Sequence, residues 1–145
     1  LICYAQGGLL FGVEAETGEE KWRTSISGAV SSPLLTHDVV YIHTAGGVLH
    51  ALSSVDGEPL WKLTAGPPGR RAALNDEYYA WVTDRQVRVV DLVRRTVKPS
   101  ILLKGVPVTQ EEAGKDPVRT PLLLHGPHLF GVERERRMFM IPLEE

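Results

Sequence analysis

One spacing governs this chain: Gly7-Gly8 returns as Gly46-Gly47, Gly18 as Gly57 and Trp22 as Trp61, each 39 residues later. A sequence that repeats itself at such a period folds as stacked copies of one supersecondary unit, because each copy is too small to bury its apolar surface alone. The fullest copy is Val39 to Trp61, VVYIHTAGGVLHALSSVDGEPLW.

Local patterning makes each copy β-structure. Leu1 to Ala5 and Leu9 to Glu14 flank Gly7-Gly8 as a hairpin, Thr17-Gly18 supplies the next turn, and Glu20 to Ser25 carries Trp22 on a third strand. A new unit opens at Ser32-Pro33, where proline suits a strand beginning or edge. Its strands are predicted near Ser32 to Thr36, Val39 to Thr44, Val48 to Ser53 and Pro59 to Thr64. Treating Gly46-Gly47 as a two-residue type I′ turn pairs Thr44 with Leu49 and Ile42 with Ala51, and sets His43 opposite His50 and Tyr41 opposite Leu52. Both faces of that hairpin then carry groups able to pack, so the sheet is covered on both sides, as in sheets stacked around an axis.

Two further units are weaker. Tyr78 to Val82 stands where Val39 to His43 stood, and Val87 to Leu92 follows the turn Asp84-Arg85-Gln86; Arg95 replaces the turn glycine and Pro99 falls near the tryptophan position. Thr120-Pro121-Leu122-Leu123 echoes Ser32-Pro33-Leu34-Leu35, with His125 where His37 stood, and two more strands are expected at His128 to Val132 and Arg137 to Leu143. Between these units lies a polar insert, Gly105 to Arg119, longer than the other connections. The expected architecture is all-β: a β-propeller of four-stranded antiparallel blades with about three and a half blades present. Partial blade 1 covers 1–26, blade 2 covers 31–65, blade 3 covers 71–103 and partial blade 4 covers 118–145. This division reads as about half of a larger ring; the rival is two half-rings assembling as a homodimer.

Composition excludes more than it assigns. Hydrophobic residues make up 43% of the 145 and the formal net charge is -2, so no excess of basic charge marks the chain for nucleic acid or an anionic membrane surface. No apolar run reaches the roughly 18 residues needed to span a bilayer. The N-terminus LICYAQGG lacks the order of a signal peptide, and because it begins at Leu1 a processed or excised beginning is expected. Cys3 is the sole cysteine, which precludes an intrachain disulfide and a cysteine-rich zinc site.

At the repeated turn and tryptophan the sequence resembles the pyrroloquinoline-quinone-like (PQQ-like) repeat of β-propellers, whose pattern is Ala-x-Asp-x-x-Thr-Gly-x-x-x-Trp. It stands here as Gly12-Val13-Glu14-Ala15-Glu16-Thr17-Gly18-Glu19-Glu20-Lys21-Trp22 and as Ala51-Leu52-Ser53-Ser54-Val55-Asp56-Gly57-Glu58-Pro59-Leu60-Trp61. The resemblance implies a ring of blades with each tryptophan docked between neighbours, which assigns Trp22, Trp61, Gly18 and Gly57 a structural role. For the family's dehydrogenases it implies a quinone pocket, a metal held by carboxylate and amide oxygens, an acidic base and, in several, a disulfide of adjacent cysteines. One cysteine cannot form that disulfide, and no Asn/Asp/Glu cluster here matches. No cofactor is therefore expected, PQQ being the alternative, and no catalytic, cofactor-binding or metal residue is assigned. Other relatives of this kind serve as scaffolds in outer-membrane protein assembly or as sensor ectodomains of receptor kinases, so a periplasmic or extracellular place follows from the resemblance.

The remaining candidates have plainer readings. His43 and His50, as an opposed pair, could offer two imidazoles to a metal, but neither His37 nor another side chain supplies a third ligand. His125-Gly126-Pro127-His128 has metal-like spacing interrupted by a turn. Arg70-Arg71, Arg94-Arg95 and Arg134 to Arg137 each lie near acidic residues and read as solvated rims, with no interleaved aromatics to stack on nucleic acid. Thr17-Gly18 and Gly46-Gly47 lack the lysine and helix of a phosphate loop. The leading expectation is a non-catalytic scaffold or sensor module that binds a protein or peptide through one rim of loops: His43 to Gly47, Asp84 to Gln86, Glu133 to Arg136, Ser25 to Ser31, Ala65 to Arg70 and Gly105 to Arg119.

Overall fold

The computed structural model describes residues 2–29, 31–69, 71–83, 86–103, 122–132 and 138–144. They form four antiparallel sheets, and among them no helix is long and apolar enough to cross a membrane. The chain divides into two compact units, Leu1–Pro68 and Gly69–Glu145.

The first unit holds two sheets. Sheet 1 runs β1 (Ile2–Gln6), β2 (Leu9–Val13) and β3 (Glu20–Ser25); sheet 2 runs β4 (Leu34–Thr36), β5 (Val39–His43), β6 (Val48–Ser53) and β7 (Pro59–Thr64). The 39-residue repeat is reproduced bond for bond at the turn before each tryptophan. Gly18 N–H donates to Glu14 O and Gly57 N–H to Ser53 O, while Glu14 N–H donates to Glu19 O and Ser53 N–H to Glu58 O. Both glycines sit at φ +74°, in the left-handed region that costs a side chain energy. Thr17 Oγ1 accepts from Glu19 N–H, and at the matching position Asp56 Oδ1 accepts from Glu58 N–H. A register shift then falls between Gly12 and Val13 in sheet 1 and between Ala51 and Leu52 in sheet 2. Such a bulge re-aims the side chains beside it, and here those include the tryptophans.

Trp22 joins the two sheets. Its ring lies so close over Gly12 that a Cβ there would overlap Cε2, and its far side meets Gly57 of sheet 2, where a Cβ would overlap Cε3. The indole Nε1–H donates to Ser54 O at 2.8 Å, and Thr24 Oγ1 donates to Gly57 O at 2.7 Å. Around it Leu10 and Ile26 pack with Val40, Ile42 and Leu52. Trp61, at the same repeat position, pairs with Ala51 where Trp22 pairs with Gly12; it is half-buried and sits edge-on to Tyr41 at 5.8 Å between centroids.

The second unit holds sheet 3, with β8 (Arg71–Leu74), β9 (Tyr78–Thr83), β10 (Gln86–Asp91), β11 (Thr96–Val97) and β12 (Ile101–Leu102), and sheet 4, with β13 (Leu123–His125), β14 (His128–Val132) and β15 (Met138–Pro142). Arg95 takes the turn glycine's place at φ +56°. The outer strand of sheet 3 is split: β11 pairs with Val90 and Asp91, and β12 with Gln86 and Val87, on either side of Pro99, which has no N–H to give the ladder. Sheets 3 and 4 share a core of Ala73, Tyr78, Ala80, Val82, Val87 and Val89 against Leu122, Leu124, Leu129 and Leu143. Polar links cross the same boundary: Asn75 Nδ2 to Gly126 O at 2.9 Å, Tyr78 Oη to Glu144 Oε1 at 2.5 Å and Lys98 Nζ to Leu143 O at 2.5 Å.

Two expectations need correction. The Gly46-Gly47 hairpin does not close in two residues. Thr44 N–H donates to Val48 O, so Ala45 to Gly47 form a three-residue loop and the ladder shifts by one: His43 pairs with Leu49, Ile42 with His50 and Tyr41 with Ala51. The cause is Thr44, whose Oγ1 lies 3.2 Å from Val48 O and 3.3 Å from Val48 N and bonds to both, holding Val48 opposite it. The Gly7-Gly8 hairpin does close in two residues, with Gln6 paired to Leu9 and φ of +59° and +81° at the tip. The second correction is in sheet 4. Gly126, at φ +52°, occupies the turn position of His37, at φ +45°, while His125 pairs directly with His128 across the turn.

Candidate binding rim

Strand direction decides which loops can meet. In sheet 2 the β5–β6 loop lies at the opposite end of β6 from the β6–β7 turn, so the chain entering and leaving the sheet comes to the loop end. There the described parts of three predicted rim segments, Ser25 to Ser31, His43 to Gly47 and Ala65 to Pro68, are tied together by main-chain bonds. Ala29 bridges Thr44, Ala45 N–H donates to Gly28 O at 2.7 Å, and Ser31 N–H donates to His43 O at 3.3 Å. Ala65 and Gly66 both donate to Gly47 O, at 2.8 and 3.1 Å. The Gly8 carbonyl accepts from Ile26 N–H at 2.7 Å, the same bond one period earlier. Gly47 at φ +80° comes so near Gly66 that a Cβ would lie 3.0 Å from its carbonyl carbon, so only glycine permits this approach.

His43 is the polar centre of the rim. It is 1% exposed; its backbone N–H donates to Ser31 Oγ, and its Nε2 lies 2.9 Å from Gly66 O, a donor contact for the ring. Burial pushes its pKa down, carbonyl contacts from Gly66 and Gly47 partly offset this, and His50 lowers it further. The imidazole is therefore neutral at pH 7 and acts as a strut between the β5–β6 loop and the connection leaving sheet 2. What the rim offers outward is small and uncharged: Ser27, Gly28, Ala45, Gly46 and Pro67 line its outer side. Such a surface lets another backbone approach closely, and its described residues give an anionic ligand no cation to pair with.

The other candidates are not brought together. The shifted register puts His43 and His50 on opposite faces of sheet 2, which ends the two-imidazole metal reading; His50 is half-buried beside Lys62, and burial first, then that cation, lower its pKa. Among the described residues no group of three potential metal ligands is assembled. Arg94 is mostly exposed and pairs with Asp91 at 3.4 Å. The rim segments 84–85, 105–119 and 133–136, with Arg70 and Arg134 to Arg137, lie outside the described residues. A quinone with its metal would need clustered oxygen ligands and a free acid, and no such cluster is assembled among the described residues. The buried carboxylate among the described residues, Asp91, is engaged in capping its own turn through Arg94 N–H at 2.8 Å. No residue pattern announces a rim built mainly from backbone groups; the visible signal is the repeated Gly-Gly.

Comparison with known proteins agrees with the repeat. The family model described as outer membrane protein assembly factor BamB, a PQQ-like repeat family, matches residues 1–96. This chain belongs to that family. Over 65 residues it is 34% identical to the outer membrane protein assembly factor BamB of Yersinia pestis, covering 44% of this chain and 16% of the relative. The crystal structure of BamB from Moraxella catarrhalis superposes with a TM-score of 0.62 at 18% identity, over 97% of this chain and 41% of that one. The computationally designed Ika4 protein gives a TM-score of 0.72 at 12% identity over 97% of this chain and 83% of its own. The BamB-like chain thus has the fold of a partial β-propeller and spans well under half the length of the BamB proteins it matches.

Proposed function

We propose that this BamB-like chain is a non-catalytic scaffold that binds a protein or peptide partner through the rim formed by Ser25 to Ser31, His43 to Gly47 and Ala65 to Pro68. The observation that carries the reading is the main-chain knitting of these three segments around a buried neutral His43, which presents a firm, small-residue surface. A preorganised loop surface loses little conformational entropy on binding, which is the condition for useful affinity without deep pockets. The relatives' name points to assembly of outer membrane proteins, with a component of that machinery as partner and a periplasmic place for the chain.

A photo-crosslinking residue at Ala45, on the rim, is compared with one at Asp56, in the turn at the other end of β6, using purified outer-membrane assembly components as the probe. Adducts at Ala45 and not at Asp56 support the assignment. Equal labelling, or labelling at Asp56 alone, removes it. Deleting 105–119 tests the remaining rim segment: capture should weaken while β-rich circular dichroism persists.

A further inference from the structure

We propose that the outer strand of sheet 3, Thr96 to Leu102, is a releasable strap pinned at Lys98, and that its release opens the edge of β10 to an extended apolar segment of a partner. Sheets 1 and 2 show how an outer strand is firmly held in this chain. β3 and β7 each run for 6 residues and each carries a tryptophan, Trp22 or Trp61. Trp22 is fixed by its indole bond to Ser54 O, and Trp61 rests edge-on against Tyr41. Near the same repeat position sheet 3 has Pro99, exposed and without an N–H to give. The strand is cut there into β11 and β12, of 2 residues each, and the register against β10 slips between them. Val97 is 40% exposed and Leu102 58%, and the turn that leads in carries Arg95 at φ +56°. A broken ladder with few buried side chains is the mark of a segment that opens locally, ahead of the rest of its sheet.

Lys98, in the middle, is where the strap is held. Its N–H donates to Val89 O at 2.9 Å, its ammonium donates to Leu143 O at 2.5 Å, and the same ammonium lies 5.1 Å from the Tyr78 ring centroid. Tyr78 Oη in turn donates to Glu144 Oε1, so the pin joins the strap to the residues that follow β15. Without the Lys98 ammonium the strap keeps a broken ladder and the contact of Ile101, which is partly buried against the core of sheets 3 and 4. Release uncovers the ladder side of β10 along Gln86 to Asp91, where Val87, Val89 and Val90 are at most 1% exposed. The occupant is read from what lies there now: an extended run of mostly apolar residues, Thr-Val-Lys-Pro-Ser-Ile-Leu. Free main-chain groups between buried valines accept another chain of that kind as an added strand, and a chain without proline completes the ladder that the strap leaves broken. The inference does not depend on what the rim binds.

Hydrogen–deuterium exchange of the intact protein should show amides of 96–102 exchanging about 10-fold or more faster than those of β7. Lys98→Met keeps the aliphatic stem and removes the ammonium. It should raise strap exchange about 10-fold further, while exchange in β9 and the circular dichroism stay as in the wild type. Lys98→Gln is the second variant should Lys98→Met lose its circular dichroism. The opened edge is tested with a photoreactive peptide at about 1 mM, the strap sequence with valine in place of Pro99. Adducts should map to 86–91 and increase about 10-fold in Lys98→Met, because the open state is that much more populated. Strap exchange no faster than that of β7, a Lys98 variant that leaves it unchanged, or adducts that are absent or lie outside 86–91 would each overturn the proposal.

Discussion

Gly18 and Gly57 form a matched pair that isolates the energy of docking one sheet on the next. They occupy the same repeat position, share φ +74° and make the same N–H bond to the residue four places back. Their surroundings differ: a Cβ on Gly18 meets nothing within 4 Å, whereas one on Gly57 would overlap Trp22 Cε3 and lie 2.6 Å from Thr24 Oγ1. Gly18→Ala should therefore cost only the left-handed backbone term, about 1 to 2 kcal/mol. Gly57→Ala carries that same term and must also displace the indole, adding about 1 to 3 kcal/mol of overpacking. The check is urea unfolding followed by circular dichroism, with tryptophan emission recorded in parallel. Gly57→Ala should unfold at clearly lower urea than Gly18→Ala and shift the emission to the red as Trp22 is pushed from its slot. Equal costs within about 0.5 kcal/mol, with unchanged emission, would refute the claim that Trp22 holds the two sheets together.

Other substitutions probe the same logic. Trp22→Phe removes the indole N–H and leaves Ser54 O without that donor, so it should cost about 1 to 3 kcal/mol in urea unfolding, and more than Trp61→Phe, whose ring is half-buried. Arg95→Gly relieves a non-glycine residue at φ +56° and should raise stability by up to about 1 kcal/mol in the same assay. The pH dependence follows from burial of His43, which lowers its folded pKa below the unfolded value of 6.5. The unfolded state then binds more protons below that value, so the contribution is fully present above pH 6.5 and is lost as pH falls through the folded pKa. Unfolding midpoints should drop between about pH 7 and pH 5, and His43→Gln should flatten that drop; an unchanged slope would remove His43 as its cause.

Much of the fold was legible because it depends on residues with few alternatives. Gly18, Gly57 and Trp22 identify a turn and a docked ring, and Arg95 and Pro99 mark where sheet 3 departs from the pattern; the structure places a strained turn and a broken edge strand there. The register of the β5–β6 hairpin was not legible. Gly46-Gly47 looks like Gly7-Gly8, yet the residue that sets the loop length is Thr44, through a hydroxyl bonded to both main-chain groups of Val48. A one-residue slip moves every side chain to the other face, so this single hydroxyl undoes the apparent histidine pair.

The rim was foreseen as a set of loops and not as a surface, and the reason is physical. Its contacts join Gly28 O, Thr44, Gly47 O and Gly66 O, main-chain groups that every residue possesses and no residue type advertises. Side-chain chemistry enters through Ser31, His43 and the Thr44 hydroxyl, each bonded to a main-chain group of the rim. Among the described residues the buried histidine of this rim is used to hold loops. If the rim binds as proposed, its described surface recognises shape and backbone complementarity, so substitutions that add bulk at Ala45 or Gly46 should abolish partner capture, while charge changes on distant exposed residues such as Lys21 should not. Calorimetric titration of Ala45→Trp and Lys21→Glu against the same partner checks the distinction, and a larger loss from Lys21→Glu would mean that recognition is electrostatic and lies elsewhere on the molecule.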